Sequence, residues 1–185
     1  GVMEYARKGG EDEARRDLDT PRGANGGDSG MALAFLRDLA AHGGVDADVL
    51  MVNCGLHDIK TDPHTAARQI PLEQYRRNLH GIVDTVRGMD SPPVMVWVRT
   101  TPCDESVHND RQPDFHRYHA DCTAYNEAAD MIMREADVPI ADLYTFTTNL
   151  GPDLYADHVH FHPHIHGRQG AFLAGWLLGY CASMH

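Results

Sequence analysis

Val49-Leu50-Met51-Val52-Asn53-Cys54-Gly55-Leu56-His57-Asp58 is the stretch that decides the fold. Four apolar residues in a row, set off by Asp46 and Asp48, read as a strand buried on both faces, which is the mark of a parallel sheet. The polar turn that follows occupies the strand's C-terminal end, where open α/β sheets bind their ligands. Upstream, the spacing of Ala32, Phe35, Leu36 and Leu39 predicts a helix from Met31 to Ala41, stopped by Gly43-Gly44. Downstream, Pro71 opens a long helix whose stripe is Tyr75, Leu79, Ile82, Val83 and Val86, ending near Gly88. A second apolar run, Val94 to Val98, leads into Arg99-Thr100-Thr101-Pro102, and Cys103 to His116 reads as a loop over the strand ends.

The remaining chain repeats the alternation. Tyr118, Cys122, Tyr125, Ala129 and Ile132 predict a helix to about Ala136, and Val138 to Leu143 a shorter strand. A loop through Gly151-Pro152 then leads to a final helix with Phe172, Leu173, Trp176, Leu177 and Tyr180 on its buried side. Strands alternating with helices give an α/β fold with a parallel sheet covered on both faces. At 185 residues and 42% hydrophobic content the chain fits one domain, residues 1–185. Val2 to Lys8 reads as the end of a helix, Glu11 to Asp19 as a solvated charge run, and Gly23 to Gly30 as turn chemistry.

A formal charge of -11 leaves no basic stripe for phosphates, so nucleic acid and anionic membrane surfaces are excluded and a neutral or cationic small substrate fits. No run approaches the roughly 18 apolar residues of a membrane span, and no leader opens the chain. Cys54, Cys103, Cys122 and Cys181 lack the close pairing of a zinc or redox motif, and they leave the compartment open.

The chemistry is carried by Asp157-His158-Val159-His160-Phe161. In acyl transfer an imidazole takes the nucleophile's proton, and a carboxylate holds that imidazole in its tautomer and stabilises its charged form. The alternation His158, His160, His162, His164, His166 would place five rings on one side of an extended chain, so a metal site there is an alternative, with Pro163 interrupting it.

The ordered set Asn25-Gly26-Gly27-Asp28-Ser29, Asn53 to Lys60, Tyr75-Arg76-Arg77-Asn78-Leu79, Thr100-Thr101-Pro102, Asp142-Leu143-Tyr144 and Asp157 to Phe161 resembles the SGNH hydrolases, also called GDSL-type esterases. It is most similar to members whose third block reads Gly-Leu-His-Asp. The resemblance implies a three-layer α/β/α, flavodoxin-like sheet and a serine mechanism without a cofactor. His160 stands for the general base and Asp157 for its orienting partner. Gly27, Gly55, His57 and Asn25 stand for the oxyanion and substrate-binding groups, with Gly27 as the backbone donor and His57 where most of the superfamily has an asparagine.

Gly27-Asp28-Ser29 spells the motif that normally carries the nucleophile. Here no apolar strand precedes it, and one helix and one strand separate it from Gly55, the spacing of the second block. Two sources of the nucleophile stay open: a first strand and serine before Gly1, or Ser29 itself. The first of these leaves a sheet edge that a homo-oligomer or partner chain would cover. The function implied is hydrolysis of a small or carbohydrate-linked ester. The alternatives are a non-catalytic binding or assembly module and a histidine-rich metal binder.

Overall fold

The computed structural model describes residues 27–183. Helix α1 (Ser29–Ala41) starts two residues earlier than the apolar spacing predicts. The reason is a cap: the Asp28 carboxylate accepts from the backbone N–H of Gly30 and Met31, each at 3.0 Å. The chain then enters strand β1 (Val49–Val52), helix α2 (Leu72–Arg87) and strand β2 (Val94–Val98), with the strand bounds as expected.

The segment Cys103 to His116 is a correction. It contains helix α3 (Glu105–Arg111), because Asp104 caps it by accepting from Ser106 N–H at 3.0 Å and Val107 N–H at 3.2 Å. Helix α4 (His119–Glu135) follows, then strand β3, which is only Ile140–Ala141. The expected strand over 138–143 is shortened at its far end because Asp142 turns to cap helix α5 (Leu143–Thr148), accepting from Thr145 N–H at 3.0 Å. Helix α6 (Pro163–Ser183) closes the described chain.

The strands lie in the order β1-β2-β3, all parallel, with Val52 beside Trp97 and Val98 beside Ala141. On one face Leu50, Val52, Met95 and Trp97 pack with Leu33 and Leu36 of α1, the α2 stripe, and Tyr125, Ala129 and Ile132 of α4. On the other, Val96, Val98 and Ala141 meet Phe146 of α5 and Phe172, Leu173 and Trp176 of α6. The predicted stripe of α6 is therefore turned to the sheet but only half-buried, and its fully buried residues are Ile165 and Gln169. Helices on both faces of a parallel sheet make a three-layer α/β/α arrangement. No helix among the described residues is long and apolar enough to cross a membrane. The expected first strand and the segments before Gly27 lie outside the described residues.

Candidate active site

The site is built at the C-terminal ends of β1 and β2. As β1 ends, the Asn53 side chain donates to the Val98 carbonyl at 2.8 Å, tying the two strand exits together. The Cys54 carbonyl accepts from the Tyr75 hydroxyl at 3.1 Å and from Thr100 Oγ1 at 3.0 Å. Gly55 then turns with φ +145°, and a Cβ there would sit 2.6 Å from Thr100 Oγ1. Both the conformation and the space demand glycine. The turn closes on itself through Ile59 N–H to the Gly55 carbonyl at 3.1 Å, presenting half-buried His57 at its crest.

Asp58, the next residue, is fully buried. Its two carboxylate oxygens accept from Ser29 N–H at 3.1 and 3.0 Å, and one also accepts from the Ser29 hydroxyl. Burial pushes the Asp58 carboxyl up to about 6, against the bonds from Ser29 that favour its charged form. Ser29 Oγ in turn accepts from Asn78 Nδ2 of α2 at 2.8 Å. The loop carrying Gly27, whose φ of +67° suits glycine, is thus clamped to the loop carrying His57.

These contacts place Ser29, the alternative nucleophile, as a packed brace: it is fully buried, and its hydroxyl is engaged on both sides. Asn25 lies outside the described residues. Gly27 and Gly55, by contrast, belong to the two clamped loops that also present His57.

The Asp157–His160 pair is formed. Asp157 Oδ1 accepts from Val159 N–H at 2.8 Å and His160 N–H at 2.7 Å, while Oδ2 lies 2.8 Å from His160 Nδ1. With a carboxylate on Nδ1 that nitrogen carries the proton, which leaves Nε2 as the acceptor a general base needs. Partial burial works to raise the Asp157 carboxyl, but the His160 and Val159 N–H groups and the His160 ring outweigh it and hold it below the usual carboxylate range. Both side chains are about a third exposed, at 36% each. Tyr155 and Phe161 pair across the base of the loop and stack with ring centres 4.9 Å apart, and the Tyr155 hydroxyl donates to the Pro102 carbonyl at 2.8 Å.

The histidine ladder does not form. Pro163 starts α6, so the run is half loop and half helix. His162 faces Asp153 at 3.7 Å and stacks on His164, whereas His166 meets the edge of Phe161. Among the described residues no three His, Cys, Asp or Glu side chains converge as a metal site.

Two residues of the site carry no sequence signal. Arg117, fully buried, donates from Nε to the Leu56 carbonyl at 2.8 Å, directly behind His57. His108, fully buried on α3, meets His158 with their Nδ1 atoms 2.8 Å apart. Phe115 packs against both, with its ring 5.5 Å from the His108 ring and 5.0 Å from the Arg117 guanidinium carbon. This line of contacts joins the Asp157–His160 loop to the His57 loop.

Known proteins agree with this architecture. The GDSL-like lipase/acylhydrolase family matches residues 4–168. Among solved structures, a lipase/acylhydrolase from Enterococcus faecalis superposes with a TM-score of 0.62 at 20% identity, over 84% of this chain and 72% of that one. A GDSL-like lipase from Bacteroides thetaiotaomicron gives 0.64 at 14% identity, over 90% and 82%. The acetyl xylan esterase AlAXEase gives 0.59 at 12% identity, over 85% and 78%. At these identities the likeness is one of fold. No protein of curated function matches the sequence.

Proposed function

The chain belongs to the GDSL-like lipase/acylhydrolase family, and from that premise we propose that it hydrolyses an ester of a small or carbohydrate-linked substrate by a serine mechanism. The observation that carries this is the 2.8 Å contact between Asp157 Oδ2 and His160 Nδ1, with both side chains partly accessible. His160 takes the proton of the attacking hydroxyl through Nε2 and returns it to the leaving alcohol, and the same nitrogen activates water against the acyl-enzyme. Asp157 holds the ring and stabilises its charged form. The Gly27 backbone N–H and the His57 ring line the oxyanion site, with the Gly55 turn setting the height of His57. An acetyl or other short acyl group is the favoured acyl portion, in line with the acetyl xylan specificity in the name of one structural neighbour.

Ser29 serves in this scheme as the brace between the two loops, and the attacking hydroxyl is a different one. The test is turnover of a short-chain aryl ester by the protein expressed from its complete reading frame, beside its His160→Ala variant. Loss of turnover in the variant supports the scheme, and unchanged turnover refutes it. The burial of Ser29 also favours a second reading, a binding module that keeps the fold without the nucleophile. A fluorophosphonate probe separates the two, because only an activated serine takes up the label.

A further inference from the structure

We propose that His108 is a positioning residue for the Asp157–His160 pair, acting through His158; the proposal rests on the esterase scheme for its catalytic consequence. The turn around Asp157 is rigid but local, since each bond its carboxylate makes runs to a residue no more than three positions away. Such a turn fixes the shape of residues 157–160 and says nothing of their pose on the sheet. Pose needs an anchor on another element. Tyr155 and Phe161 anchor the base of the loop, and His158 anchors its middle.

The His158 anchor is specific. Its Nδ1 lies 2.8 Å from Nδ1 of His108, with the ring centres 4.8 Å apart. Two imidazole nitrogens at that separation share one proton, so one ring is the Nδ1–H tautomer and the other accepts at Nδ1 and carries its proton on Nε2. On its other side the His158 ring meets the His160 ring edge to face, with centres 6.2 Å apart and an interplanar angle of 82°. A shift of His158 is therefore passed to the ring that acts as base.

His108 can serve as a fixed point because of where α3 is held. The His108 side chain is fully buried against Phe115. Its neighbour Asn109 accepts from Arg117 N–H at 2.9 Å, and Arg117 Nε reaches the Leu56 carbonyl at 2.8 Å. The element that steadies the proton relay is thus bonded to the backbone next to His57. His108 sets the distance between the two halves of the site.

The test uses protein labelled with ¹⁵N in its histidine rings. In the parent protein the imidazole N–H of His160 bonded to Asp157 and the proton shared by His108 and His158 give separate downfield resonances. His108→Phe keeps an aromatic ring, one atom larger than imidazole, and removes both nitrogens. It is expected to abolish the shared resonance, broaden the His160 resonance by exchange with water, and lower kcat by about 10- to 100-fold with KM held within about twofold. His108→Asn places an amide near the lost Nδ1 and is expected to restore the His160 resonance and most of kcat. His158→Phe should match His108→Phe, with the double variant no worse than either single one. A folded His108→Phe protein whose His160 resonance is unchanged overturns the proposal. If His108→Phe fails to fold, the same reading of half-exposed His158→Phe decides. If the parent protein turns over no ester, the hydrolase scheme fails, and the His160 resonance alone judges the role of His108.

Discussion

Replacing Asp58 by Asn should change the pH dependence of stability in a direction opposite to that of most carboxylates. The Asp58 carboxyl titrates near 6 in the folded chain and at 3.8 as an ordinary aspartate. Between those values the native state holds a proton that the unfolded state has released, so stability falls as pH rises through the window. The full difference across it is about 3 kcal/mol. The amide that replaces the carboxyl cannot titrate. Its oxygen can still accept from Ser29 N–H, but its NH₂ group meets the Ser29 hydroxyl, which costs about 1 to 2 kcal/mol at every pH.

The parent protein should therefore be more stable than Asp58→Asn at pH 4 and should lose about 2 to 2.5 kcal/mol relative to it by pH 7. Urea unfolding followed by tryptophan fluorescence, with Trp97 fully buried, gives both curves in one buffer series. Other carboxylates cancel in the difference. A difference that stays flat from pH 4 to pH 7 would refute the assignment of a desolvated, clamped carboxylate.

Asp157→Asn should act at the other end of the scale. Its depressed carboxyl contributes stability that is present above 3.8 and lost as pH falls below it, so the variant's acid unfolding limb should be shallower in the same urea series. His57→Ala should lower kcat by about 10²- to 10³-fold with little change in KM if its ring donates to the oxyanion, and steady-state kinetics on an aryl ester reads this directly. Gly55→Ala should destabilise the protein by about 2 kcal/mol or more, from the strained φ and the 2.6 Å approach to Thr100 Oγ1, measured as a drop in Tm. Arg117→Met should cost about 2 to 3 kcal/mol by leaving the Leu56 carbonyl without its charged donor, visible as faster amide exchange at residues 56–58.

The fold was legible where one physical signal dominated. Val49 to Val52 and Val94 to Val98 are apolar on both faces, and only a covered parallel strand satisfies that pattern. The helices α3 and α5 were missed because they are too short for an apolar stripe. Their signal was in the caps, Asp104 before Ser106-Val107 and Asp142 before Thr145. The Asp157–His160 spacing could be read because both partners lie in one turn. His108 and Arg117 could not, since each acts on a residue 50 or more positions away and neither sits in a local pattern.

The Ser29–Asp58–Asn78 clamp has a practical corollary for anyone wishing to retune what this scaffold accepts. Asp58 and Asn78 both bond to Ser29, so two loops and a helix meet at that residue, and residues 27–29 and 55–58 behave as a single casting that cannot be widened piecemeal. Room for diversification lies instead at Val107 and Arg111 of α3, with His108 kept, and in the exposed segment 151–153, which together line a cleft beside Asp104 and Tyr155. A library confined to those positions would vary the shape of that cleft while leaving His57, His108, Asp157 and His160 untouched.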